Sequence, residues 1–278
     1  MIKNLCDVHT HTFYSGHAYS TLEENARAAA EAGLELLGSA DHFWAACCQP
    51  VGGRYSLCDY QYLVNLDAWP RVWHGVRVMR AVEVDIVDCD GHLFGWDIPT
   101  TAAVDGHVLS EPILLKDRVF SECDYAVASV HSKDFAKGAN KAQLTRTYVG
   151  ALEDPKVAIL GHIGRTGLAF DVDEVLTATR DLGKMIEVNE HSFDNRPKGD
   201  LAYLWIRSII VRCAELGVPV AVSTDAHIAS QIGDVSRSLA LMDEIDFPEE
   251  LVMTRNAAAF TEAIARATGT EPIRWPAS

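Results

Sequence analysis

The chain has 278 residues, 48% of them apolar, and a formal charge of −15. That length and apolar share suffice for one substantial core, and no compositional shift marks a linker, so one domain over 1–278 is expected. No run approaches the ~18 apolar residues of a membrane span, and the excess of carboxylates argues against an extended nucleic-acid partner, which needs Lys and Arg on its phosphates.

The opening segment lacks a basic stretch before an apolar core, and the seven cysteines are odd in number with no CxxC pair. An unprocessed protein of the reducing cytoplasm is the expectation. Adjacent Cys47 and Cys48 read as ordinary reduced thiols, with a soft metal site as the alternative.

In chain order, Lys3 to Val8 reads as a first strand, and Thr21 with Glu24 forms a capping box opening a helix that ends near Gly33. Short apolar runs follow at Leu36 to Ala40, Val76 to Val82, Tyr125 to Val130, Val157 to Leu160, Met185 to Val188 and Val218 to Val222. Helices are predicted from Asp171 to Leu182, closed by Gly183, and from Asp200 to Leu216, closed by Gly217. Asp41 to Asp59 reads as a long loop rich in Trp, Cys, Pro and Gly, and Asp90-Gly91 as a two-residue hairpin turn. Asp234 to Ile245, a segment from Pro248, and Asn256 to Ala267 read as terminal helices packing on the barrel. Seven strands mostly alternating with helices imply a parallel α/β sheet with helical cover.

Nine metal-friendly residues fall where these runs end: His9, His11, His17, His42, Glu83, His131, His162, Asp225 and His227. In an α/β barrel the carboxyl ends of the strands meet at one rim, so residues far apart in sequence converge there. Strand six would bring Asn189 and Glu190 to the same rim. In an extended segment residues i and i+2 point to one side, which lets His9 pair with His11 and Asp225 with His227. Asp7 shares that parity one step lower, where it would either accept from and orient an imidazole or simply be a polar residue at the strand end. His74, His92, His107 and His191 lie in loops or on polar faces and are left as non-ligands.

The stretches Asp7-Val8-His9-Thr10-His11, Ser15-Gly16-His17-Ala18-Tyr19-Ser20-Thr21-Leu22, Ala40-Asp41-His42 and Ser223-Thr224-Asp225-Ala226-His227 resemble the PHP (polymerase and histidinol phosphatase) superfamily, and within it the YcdX-like phosphatase branch. The resemblance runs from Asp7 to about Asp246-Phe247-Pro248. It implies a distorted seven-stranded (β/α)7 TIM-like barrel with a trinuclear centre, most often of Zn2+, with Mn2+ or Fe at some sites. Carried over residue by residue, His9, His11, Glu83 and Asp225 would hold one ion. Glu83 would bridge to a second ion completed by His131 and His162, and His17, His42 and His227 would hold the third. Metal-bound hydroxide held by Glu83 and Asp225 would then hydrolyse a small phosphate monoester.

Arg165, Arg196, Lys198 and Lys133 are the basic residues that could reach the phosphate, with surface solvation as the alternative for each, and Phe43, Trp44 and Tyr55 could wall the pocket with aromatic surface or serve plain packing. The expected partner is a small phosphorylated metabolite, and the apolar faces of the terminal helices allow self-association as well as packing on the barrel. Three other functions compete. A nucleotide phosphodiesterase or exonuclease of the same superfamily is disfavoured by the acidic charge. An amidohydrolase acting on C–N bonds would usually have eight strands and a bridging lysine where His131 stands, and a non-catalytic metal-binding module would not need the full ligand set.

Overall fold

The computed structural model describes residues 2–47, 54–105 and 107–276. Among these residues the strands are β1 (Cys6–Thr10), β2 (Leu36–Phe43), β3 (Val72–Trp73), β4 (Val76–Asp85), β5 (Pro99–Ala102), β6 (Val108–Leu114), β7 (Tyr125–Ser129), β8 (Val157–Leu160), β9 (Met185–Asn189) and β10 (Val220–Ser223). Seven of them, in the order β1-β2-β4-β7-β8-β9-β10, pair in parallel. The ring nearly closes where the segment after β10 meets β1: the Asp225 N–H donates to the His9 carbonyl and the His11 N–H to the Ala226 carbonyl, both at 2.9 Å. This is the expected seven-stranded barrel.

Strands covered on both faces must be apolar or pair the polar groups they bury, and β1, β2, β7, β8, β9 and β10 are buried at every position. Tyr125, Met79 and Met185 belong to the core cluster that helix α7 (Ala257–Thr268) covers with Phe260, Ala263 and Ile264. Burying a side chain the size of Phe260 contributes about 2–3 kcal/mol. The Tyr125 hydroxyl donates to the Val8 carbonyl at 2.6 Å, and a Cβ on Gly38 would fall 2.1 Å from that hydroxyl oxygen. Gly38 is therefore a close-approach glycine.

The strands run further than the apolar pattern suggested. β2 and β4 continue in register through His42↔Glu83 and Phe43↔Val84, so His9, His42 and Glu83 lie within strands rather than just beyond them. Helices α1 (Leu22–Glu31), α4 (Val172–Asp181) and α5 (Leu201–Leu216) start at the anticipated caps, Thr21, Asp171 and Asp200. Helices α2 (Leu115–Phe120) and α3 (Lys141–Leu152) were not anticipated. Gly150 disguises α3: it sits inside the helix because a Cβ there would lie 2.0 Å from the Asp90 carbonyl oxygen.

The turn at Asp90-Gly91 exists but is wider than predicted, since the Val87 N–H donates to the His92 carbonyl around residues 88–91. A paired two-strand hairpin, β5–β6, lies further on. Of the terminal segments, α6 (Ser236–Glu244) and α7 are helices, whereas the stretch from Pro248 forms only short 3-10 turns, Glu249–Leu251 and Met253–Arg255. Among the described residues no helix is long and apolar enough to cross a membrane. The Cys47 side chain and Cys48 lie outside the described residues.

Candidate metal centre

All nine ligand candidates converge at the carboxyl ends of the strands, and Glu83 stands among them. Its Oε2 lies 2.7 Å from His42 Nδ1, 3.3 Å from His9 Nε2 and 3.5 Å from His11 Nε2. Its Oε1 lies 2.9 Å from His162 Nε2 and 3.3 Å from His131 Nε2. Beside it, His11 Nε2 is 3.1 Å from Asp225 Oδ1 and 3.2 Å from His9 Nε2, and His227 Nε2 is 2.8 Å from His17 Nε2. Three overlapping groups have ligand atoms close enough to share an ion: His9, His11 and Asp225; His42, Glu83 and His131; His11, His42 and His227. The first falls inside the first set implied by the resemblance, while His11 and His42 belong to groups that cut across the other two.

Two of the nine have left-handed backbone, His162 at φ 29° and Asp225 at φ 57°. Such non-glycine conformations cost free energy and collect at functional sites. The alternation rule thus explains His9 and His11, but a sharp turn, not an extended segment, carries Asp225 toward the barrel axis.

The electrostatics are those of opposed charges held out of water. Burial alone would lower the His9 pKa, but the carboxylates of Glu187, Glu83 and Asp225 outweigh it and hold the imidazole well above its usual range. His131 behaves alike: burial opposes, and Glu83 with Asp85 pushes it up to about 10. Burial would raise Glu83 and Asp225, yet the surrounding histidines keep both well below the usual carboxylate range. Burial dominates at His11, His17, His162 and His227, all of which are lowered. Imidazole nitrogens 2.8–3.2 Å apart around two buried carboxylates are a donor set that suits divalent ions, zinc foremost, with manganese or iron admitted by the oxygen ligands.

A second layer orients this set, and the sequence reading missed most of it. Glu187 Oε1 lies 2.7 Å from His9 Nδ1, and Asp85 Oδ1 lies 2.7 Å from His131 Nδ1. Ser15 Oγ is 2.9 Å from His11 Nδ1 and donates to Asp41 at 2.6 Å. The signal was parity: Asp85 is two residues beyond Glu83, and Glu187 two before Asn189, whose amide reaches Asp225 at 3.2 Å. Of its two alternatives, Asp7 does not take the imidazole-orienting one. Its carboxylate accepts from the Thr224 N–H and hydroxyl and from the Gly233 N–H, fixing the backbone that leads into Asp225. Glu190 also departs from expectation, turning from the cluster to bond Arg237 and the Ser238 N–H.

Of the four basic residues, Arg165 contacts Asp225 at 3.2 Å, and Lys133 lines a 150 Å³ cavity together with Arg165, His131 and His162. Lys198 is instead exposed and paired with Glu244 at 2.6 Å, and no described contact ties the Arg196 side chain to the cluster. Of Phe43, Trp44 and Tyr55, it is Trp44 that reaches the site, stacked on His42 with ring centroids 4.2 Å apart. Phe43 is wholly buried against Tyr60 and Phe94, and Tyr55 packs on Phe94. His74, His92, His107 and His191 pair with carboxylates outside the cluster, although the His191 ring comes within 6.0 Å of that of His227.

Fold and site together define a parallel α/β barrel with a histidine–carboxylate cluster at its carboxyl-end rim. Residues 7–191 match the PHP domain family, and the chain belongs to it. A probable phosphatase of Caldanaerobacter subterraneus subsp. tengcongensis is 32% identical over 252 residues, covering 91% of this chain and 87% of that protein. A probable phosphatase of Clostridium acetobutylicum is 31% identical over 262 residues, 94% of each chain. Among solved structures, the histidinol phosphate phosphatase of Lactococcus lactis subsp. lactis, complexed with zinc, L-histidinol and phosphate, superposes with a TM-score of 0.52 at 14% identity, covering 89% of this chain and 95% of that one. At that identity the likeness concerns the fold alone.

Proposed function

We propose that the chain is a metal-dependent phosphatase that hydrolyses a small phosphate monoester at a centre of three divalent ions. The observation that carries the reading is the Glu83 carboxylate, whose two oxygens face different sets of imidazoles. Curated relatives named as probable phosphatases support the reaction class. His9, His11, Glu83 and Asp225 would hold one ion, Glu83, His131 and His162 a second, and His17, His42 and His227 the third. When bound, such ions lower the pKa of a water and polarise phosphate oxygens.

The chain's own residues supply the rest. Arg165 offers a planar fork and Lys133 a point charge beside His131 and His162, in a cavity with room for roughly five waters, enough for a phosphoryl group. Asn189 and Arg165 both engage Asp225 Oδ2 and hold that carboxylate in one orientation. In the balanced reaction a water oxygen bonds to phosphorus, the ester P–O bond breaks with its electron pair leaving on the alcohol oxygen, and that oxygen takes a proton. Five free cysteines among the described residues accord with a reducing cytoplasm.

The test is a substrate panel: purified protein assayed on a phosphate monoester, a phosphodiester and an amide, before and after chelation. Chelator-sensitive monoesterase activity is expected. Preference for the diester or the amide would transfer the chain to a rival class.

A further inference from the structure

A second cavity, of 620 Å³, lies between residues 57–65 and the β5–β6 hairpin, with Arg118 of α2 on its wall. That volume is typical of small-molecule sites. Leu57, Val64, Leu109, Ile113, Tyr14 and Tyr62 give it a mainly apolar lining. Two of those residues are fastened to the segments that carry ligand candidates. The Tyr62 hydroxyl donates to the His42 carbonyl at 2.7 Å. Tyr14 lies between His11 and His17, donates its N–H to Thr12 Oγ1 at 3.3 Å, and stacks on Tyr62 with centroids 5.3 Å apart and planes 4° from parallel.

Tyr62 and Tyr14 thus tie the cavity wall to the segments that follow β2 and β1, while Lys133 and Arg165 share their cavity with His131 and His162, after β7 and β8. Arg118 is paired with Glu122, and the other ionised group of the lining is the acidic Asp105. A second phosphate or a carboxylate would find no free cation there.

We infer that this cavity holds the alcohol portion of the ester, and that the enzyme is built for monoesters of a bulky, uncharged, largely apolar alcohol, such as an aryl alcohol. The inference rests on the phosphatase reading for its phosphate end; the cavity itself can be tested without turnover. The probes are 2-naphthyl phosphate against ethyl phosphate for hydrolysis, and 2-naphthol alone for binding, measured by its fluorescence with the metal-loaded full chain.

Leu109→Trp fills the cavity from β6. It should lower the naphthyl-to-ethyl ratio of kcat/KM by about tenfold or more and weaken 2-naphthol binding by a similar factor. Ile113→Trp does the same from a neighbouring position if the first variant does not fold. Wild-type protein that binds no 2-naphthol, or folded variants whose ratio and affinity stay within about twofold of wild type, would overturn the assignment. Naphthol binding that the tryptophans abolish, in a protein that hydrolyses neither ester, would uphold the cavity and sink the phosphatase reading instead.

Discussion

Glu187 Oε1 lies 2.7 Å from Nδ1 of His9, fixing which ring nitrogen His9 turns toward the centre. The other oxygen of the same carboxylate accepts the His162 N–H at 2.7 Å, and the Ser223 hydroxyl donates to the first. One side chain thus registers groups from β1, the turn after β8, and β10. Groups that orient ligands in this way typically matter about 10- to 100-fold for metal affinity. Glu187→Gln should weaken metal retention by that order while the protein still melts cooperatively, checked by metal analysis after dialysis and by circular dichroism. Full metal retention would show that His9 needs no such partner.

Removing the central carboxylate should be harsher. Glu83→Ala deletes the group that faces five imidazoles, so metal content should fall by more than one ion per chain and monoesterase activity to below about 1%. His162→Ala should lose one ion and the activity while the barrel stays folded. Activity at wild-type level with full metal in either variant would remove that residue from the ligand set.

Asp225 separates charge from backbone. Asparagine tolerates left-handed φ nearly as well as aspartate, so Asp225→Asn should lose activity while preserving the turn. Asp225→Ala should lose activity and cost about 1 kcal/mol more in chemical denaturation, because alanine pays the full left-handed penalty. Equal stability of the two variants would contradict the turn's strain.

Metal uptake should release protons. Before loading, His131 is pushed up to about 10 and His9 sits well above its usual range, so both are protonated at pH 7, yet both must be neutral to ligate. Binding therefore expels protons, and apparent affinity should rise with pH through neutrality. Calorimetry in buffers of different ionisation enthalpy measures this directly. Zero proton release at pH 7 would contradict the assigned charge states.

The two flanks of phosphate recognition predicted from sequence should part experimentally. Arg165→Ala should weaken competitive inhibition by inorganic phosphate by about tenfold, since it removes a fork beside Asp225. Lys198→Ala breaks only a surface pair with Glu244 and should change it by less than about twofold. The reverse order would relocate the phosphate site.

What the sequence made legible follows from periodicity. The buried parallel strands are apolar runs, so all seven barrel strands and the ligand candidates near their ends could be read in order. What remained hidden depends on register between distant segments. Glu187 faces Ala221 across the β9–β10 pairing and reaches His9 across the barrel, a relation no local pattern encodes. Asp7 has the right parity to orient an imidazole, but Thr224 and Gly233 claim both of its oxygens. Gly150 reads as a helix breaker until Asp90 is seen pressed against it.

The central claim, hydrolysis of a phosphate monoester at a three-ion centre, is tested most directly by counting metals in active protein. Mass spectrometric metal analysis of purified enzyme, run beside a monoesterase assay through chelation and reloading, should find about three ions per chain and activity that leaves and returns with them. Fewer than about two ions in fully active protein, or activity indifferent to the chelator, would contradict it.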